Sequence, residues 1–144
     1  MAPWLFPVTF AAHLVEEYTA DEWFGAWSAR ELGLGISTRE FVAWNAFAFV
    51  LMCAGAALTI RFSRLRWIEI AMAIAVLGNA LFHVAASAAT LTYSPGLVTA
   101  VLLWIPLGAA RLRPALRATT PRGRRIGVTV GVCAVIASLS VLAA

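Results

Sequence analysis

His13-Leu14-Val15-Glu16-Glu17 places an imidazole and two adjacent carboxylates inside an apolar segment, with Trp4 to Ala12 before it and Tyr18-Thr19-Ala20 after it. Spacings of i, i+3 and i+4 put these three side chains on one face of a helix. A second pair, Asn79 and His83, repeats the i, i+4 spacing in another apolar run, and Asn45 stands in a third. Two neighbouring carboxylates at low dielectric do not both stay ionised unaided. Either a cation neutralises them, or one keeps its proton. With a cation, His13, Glu16, Glu17 and His83 form a mixed nitrogen/oxygen donor set suited to zinc, iron or manganese. A glutamate left free of the metal is then a general base, and Asn45 or Asn79 can orient a ligand or stabilise an oxyanion. Without a cation, a protonated glutamate beside a histidine is a proton donor/acceptor couple.

The elements that must position these groups are membrane helices. Of 144 residues, 62% are hydrophobic and 12% charged, and the mean hydropathy is +0.85. That composition places the chain in the membrane class as a single all-α domain. Five spans are expected, at about residues 4–24, 39–60, 67–91, 95–110 and 126–144. Between them lie a polar link (25–38), a basic turn (61–66), Tyr93-Ser94-Pro95-Gly96 and an arginine-rich link (111–125). Ser37 or Thr38 suits an N-cap, with Glu40 in the first turn. Ser94 suits another, with Pro95 at the first helical position.

The net charge of +4 resides mainly in the two arginine-rich links. By the positive-inside rule both links, and with them the N-terminus, face the cytoplasm of a bacterial inner membrane. The basic charge therefore reads as topology, and no nucleic-acid partner is expected. The N-terminus has no basic n-region, so no cleavable signal is expected. Cys53 and Cys133, each in an apolar run without CxxC spacing, read as buried reduced thiols. Gly123, Gly127 and Gly131 form a small-residue face, suited to packing on the chain's own bundle or to a homodimer seam.

Depth follows from a rise of about 1.5 Å per residue. Glu16 and Glu17 fall about 18–20 Å from the cytoplasmic end of their span, Asn79 and His83 about 18 and 24 Å, and Asn45 about 20 Å. Thr99 and Trp104 fall in the same outer half. Several helices thus bring their polar residues to one level, and ionisable groups at such depth mark function by default. Glu69 lies near the cytoplasmic surface, outside this site. Asp21 and Glu22 read as interfacial.

The His13–Glu17 motif, Asn79-Ala80-Leu81-Phe82-His83 and Tyr93-Ser94-Pro95-Gly96, in that order, resemble the HXXEE-domain proteins, small bacterial integral membrane proteins. The resemblance covers roughly the first four spans. It implies a shared membrane fold and shared site residues (His13, Glu16, Glu17, Asn79 and His83), and it implies no particular reaction.

Three functions are compatible with the residues. The first is a metal-dependent intramembrane enzyme acting on a lipid-like or isoprenoid substrate. Its substrate would enter between helices, with free N–H groups at the start of the fourth span available to an anionic head. The second is a metal-free isomerase or cyclase of terpenoid or sterol-like substrates. The third is a metal-binding sensor or an ion or proton carrier. Transport ranks below the others because the cytoplasmic halves of spans two to four are almost wholly apolar.

Overall fold

The computed structural model describes residues 2–142, which form helices joined by turns, with no strand among them. The helices are α1 (Leu5–Thr19), α2 (Phe24–Leu32), α3 (Thr38–Arg61), α4 (Trp67–Thr90), α5 (Leu97–Ala118) and α6 (Pro121–Leu142). Among the described residues, four stretches are long and apolar enough to cross a membrane: Thr38–Arg61, Ser63–Thr90, Leu97–Ala118 and Pro121–Val141. α1 is not among them. Its 15 residues reach only about 22 Å, against the roughly 30 Å of a bilayer core.

The expected first span, 4–24, is therefore too long. α1 stops at Thr19, where Ala20 turns extended (ψ 166°) ahead of Asp21 and Glu22. The supposed polar link then contains α2, which buries Phe24, Gly25, Trp27 and Ser28 on one side. α2 closes on Gly33, whose left-handed φ of 66° suits glycine, and on Ser28 Oγ, which donates to the Leu34 carbonyl at 3.0 Å. Trp27 Nε1 donates to Thr92 Oγ1 at 3.0 Å, tying α2 to the turn after α4. At its exposed side Arg30 pairs with Glu22, and this hydrogen bond holds the Glu22 carboxyl below its ordinary value.

α3 starts with the expected cap. Glu40 N–H donates to Ser37 Oγ, and the Glu40 carboxylate accepts from Ser37 N–H in return. α4 is the central helix, with Ile70, Ala73, Val76 and Ala80 almost wholly enclosed. α3, α5 and α6 all pack against it. The glycine stripe is used within the chain. A Cβ on Gly127 would lie 2.6 Å from the Trp67 carbonyl oxygen, and one on Gly131 would lie 3.0 Å from that of Ala71. Bare glycines let the α4 and α6 backbones approach, side by side and pointing the same way.

α5 runs past its expected end at residue 110, through Pro114, to Ala118. Arg111, Arg113 and Arg117 thus belong to a helix. Arg111 Nε donates to Glu69 Oε1 at 2.7 Å, so the Glu69 carboxylate, outside the site as expected, fastens α4 to α5. Between Ala100 and Trp104 α5 is π-helical: Ile105 N–H reaches back five residues to the Ala100 carbonyl. Pro106 follows and has no N–H to give. α6 begins at Pro121, five residues before the expected 126. Thr120 accepts from Gly123 N–H through Oγ1 and from Arg124 N–H through its carbonyl. The cysteines are free, but Cys133 is exposed on α6, contrary to the buried thiol expected there.

Candidate functional site

α1, α4 and the Tyr93–Thr99 segment meet around His13, Glu17 and His83. His13 on α1 and His83 on α4 face each other edge-to-face, ring centroids 4.9 Å apart, and both are almost wholly buried. Glu17, one turn after His13, reaches between them. Its Oε1 is 3.5 Å from His13 Nε2 and 3.4 Å from His83 Nε2. These three residues offer donor atoms that all lie within 4.8 Å of one another, a group that could hold a metal ion.

The far side of each imidazole is fixed by a hydroxyl. His13 Nδ1 is 2.7 Å from Thr99 Oγ1, and His83 Nδ1 is 2.9 Å from Ser94 Oγ. Thr99 has a single hydroxyl proton, which it donates to the Gly96 carbonyl at 3.2 Å. With that proton on the Gly96 carbonyl, His13 Nδ1 is the donor to Thr99, the tautomer that leaves the Nε2 lone pair for an electrophile. Both Nε2 atoms are buried without a hydrogen-bond partner.

Glu16 takes a different task. Its Oε1 accepts from the Gly96 and Val98 N–H groups at 3.1 and 2.9 Å, and its Oε2 accepts from the Thr99 N–H at 2.7 Å. Tyr93 OH also donates to this carboxylate. Burial, and then the bond to Glu16, push the Tyr93 phenol above its ordinary value of 10, which keeps it a donor. Negative charge at a helix start is favourable. The N–H groups expected to be free for an anionic head are thus engaged by Glu16. Ser94, the expected cap, turns its hydroxyl to His83 instead, and α5 starts after Gly96, not at Pro95.

Gly96 is required twice over. Its φ of 103° disfavours any side chain, and a Cβ would lie 2.8 Å from the Cε1 of both imidazoles. Trp104, aimed by the π-helical turn, stacks on His13 at 3.8 Å, with Phe10 stacked behind it. Phe24 of α2 sits 5.5 Å from His83 and covers the other side.

Of the sequence candidates, His13, Glu17 and His83 come together, and Glu16 is spent on the turn. Asn79 and Asn45 line the adjoining cavity. Asn45 gives its amide to the Phe41 carbonyl at 3.0 Å, whereas Asn79 Oδ1 is buried without a partner. The roles of Thr99, Ser94, Tyr93, Gly96 and Trp104 were not read from the sequence. The Tyr-Ser-Pro-Gly turn was the available signal, but nothing in it says that it folds back onto α1.

The cavity measures about 630 Å³ and is lined by all six helices, α2 through Phe24, almost entirely with apolar side chains. No curated protein and no solved structure matches the chain. The model of a family described as proteins of unknown function with an HXXEE motif matches residues 4–111, which spans every residue of the site. The chain belongs to the HXXEE family.

Proposed function

We propose that His13, His83 and Glu17 bind one divalent transition metal, and that the protein is a metal-dependent intramembrane enzyme acting on a lipid-like substrate. One observation carries this reading: the two distances from Glu17 Oε1 to the imidazole nitrogens, 3.5 and 3.4 Å. Bonds of about 2.0–2.2 Å to a tetrahedral ion set neighbouring ligand atoms roughly 3.3–3.6 Å apart. Hydrogen-bonded nitrogen and oxygen atoms would sit closer, at about 2.9 Å. Two imidazoles held by hydroxyls through Nδ1, with Nε2 unpartnered, are what a metal ligand of this type needs.

Two histidines and one glutamate leave a fourth coordination position, the arrangement of catalytic zinc sites. All three residues line the apolar cavity, which suits an apolar substrate. The ion would act as a Lewis acid toward an oxygen of the substrate or toward water. The chain's own residues orient the imidazoles, exclude bulk water through Phe24 and Trp104, and present Asn79. The basic links and the four apolar helices suit a bacterial inner membrane, with the site in its outer half.

Metal content decides the matter. Untagged protein, purified in detergent and analysed by inductively coupled plasma mass spectrometry, should carry about one transition metal per chain. His83→Ala and Glu17→Gln should each lose it. Equal metal in wild type and both variants, or none in wild type after reconstitution, would falsify the proposal.

A further inference from the structure

The cavity beside the triad is long and narrow. Its floor is one face of α4: Trp67, Ala71, Ala75, Asn79 and His83, at intervals of four residues, all line it. From Trp67 to His83 the helix climbs about 24 Å. Spread evenly over that length, a volume of 630 Å³ averages about 26 Å² in section. The tail of an ordinary lipid occupies half of the roughly 30 Å core, about 15 Å. The slot therefore runs beyond one leaflet. Its walls, α3 and α6, carry Phe47 and Leu51 on one side and Val130 and Leu139 on the other. These side chains both line the slot and are exposed, so it opens sideways toward lipid.

The polar end of this slot holds two further unsatisfied atoms. Trp104 Nε1 is a donor and Asn79 Oδ1 an acceptor, and both are buried without partners. Each such group left unpaired costs about 1–3 kcal/mol, so a ligand that engages both recovers it. A hydroxyl is the neutral head that accepts from one and donates to the other. No arginine lines the cavity, and the sequence contains no lysine. Glu17 adds negative charge, and the backbone N–H groups of the nearby helix start are held by Glu16. A phosphate or carboxylate head has nothing here to pair with apart from the metal.

We propose that the cleft binds a long-chain alcohol, its hydroxyl between Trp104 and Asn79 beside the triad and its single tail laid along α4 toward Trp67. This names the substrate class of the metal site and rests on that reading.

Binding can be tested in lipid nanodiscs by native mass spectrometry, with 1-octadecanol, octadecane and octadecyl phosphate as probes. Octadecanol should bind once per chain and more tightly than either of the others, by about 25-fold to 100-fold over octadecane, which forgoes both hydrogen bonds. Trp104→Phe and Asn79→Leu should each weaken octadecanol by about fivefold to tenfold and leave metal content unchanged. Ala75→Phe, which narrows the slot midway, should exclude octadecanol and still admit 1-octanol. Circular dichroism of each variant guards against misfolding. Equal binding of alcohol and alkane, tighter binding of the phosphate, or variants indistinguishable from wild type would each overturn the inference. The two readings fail separately. Metal present without alcohol binding removes this inference alone, and alcohol binding without metal removes the metal reading and the substrate role that rests on it, leaving the alcohol site itself.

Discussion

The two glutamates of the motif divide their labour, and the division is decided by what lies opposite. Glu17, at i+4 from His13, meets His83. Glu16, about 100° around the helix, meets the backbone of the Gly96–Thr99 turn. The sequence shows that His13, Glu16 and Glu17 share a face. It does not show that distinction, because the turn opposite arrives from eighty residues away. A Glu16→Ala substitution strips three backbone N–H groups and one phenol of their acceptor. It should lower stability by on the order of 1–3 kcal/mol in a thermal melt, and weaken metal retention through Thr99 and His13 without removing a ligand. Gly96→Ala should do worse. Its Cβ meets both imidazoles at 2.8 Å in a backbone conformation that itself costs about 1–3 kcal/mol. Loss of metal with the helical circular dichroism signal retained is the expected result. A Gly96→Ala protein that keeps its full metal content would show that the imidazoles need no such close fit.

Among the helices, those with strong end signals were legible: Ser37 with Glu40 opens α3, and Trp67 opens α4 where expected. The failures share a physical cause. Trp23 and Phe24 resume the apolar character after Asp21 and Glu22, so the expected first span reads on through the turn that parts α1 from α2. Only the packing of Phe24 and Trp27 under the turn separates them. Arginines and Pro114 disguise the end of α5 as a loop, yet Arg111 is helical because it has a buried partner on α4. That pair yields a sharp expectation. Arg111→Leu leaves the Glu69 carboxylate, 6% exposed, without its counter-charge and should destabilise by about 3–5 kcal/mol. Adding Glu69→Gln should restore most of that loss. If the double variant unfolds as readily as the single one, Arg111 contributes by packing and not by charge.

For the molecule as a whole, residue counts were enough to expect His13 near His83, and the two imidazoles do meet. The cleft was not legible in the sequence, because it depends on how α3 and α6 are spaced around α4. The glycine stripe supported either an internal or an intermolecular contact, and its internal use follows from α4 and α6 running side by side. The π-helical turn left no mark in the sequence, and it has a consequence for how the chain tolerates change in length. α5 is clamped near both ends, to Glu16 through its first N–H groups and to Glu69 through Arg111. An inserted or deleted residue between those clamps cannot be absorbed by fraying at either terminus. Removing Val101 would make the Ile105–Ala100 bond an ordinary i→i+4 bond and leave both clamps in phase, whereas removing a residue after the π turn, such as Leu107, would rotate Arg111 by about 100° relative to the clamped start. The expected outcome is that the Val101 deletion keeps the thermal stability of the intact chain, while the Leu107 deletion, which leaves Glu69 unpaired, loses it, both followed by circular dichroism. The number of residues between the π turn and Arg111 thus acts as a phase setting, as binding on the chain as any side chain in the site.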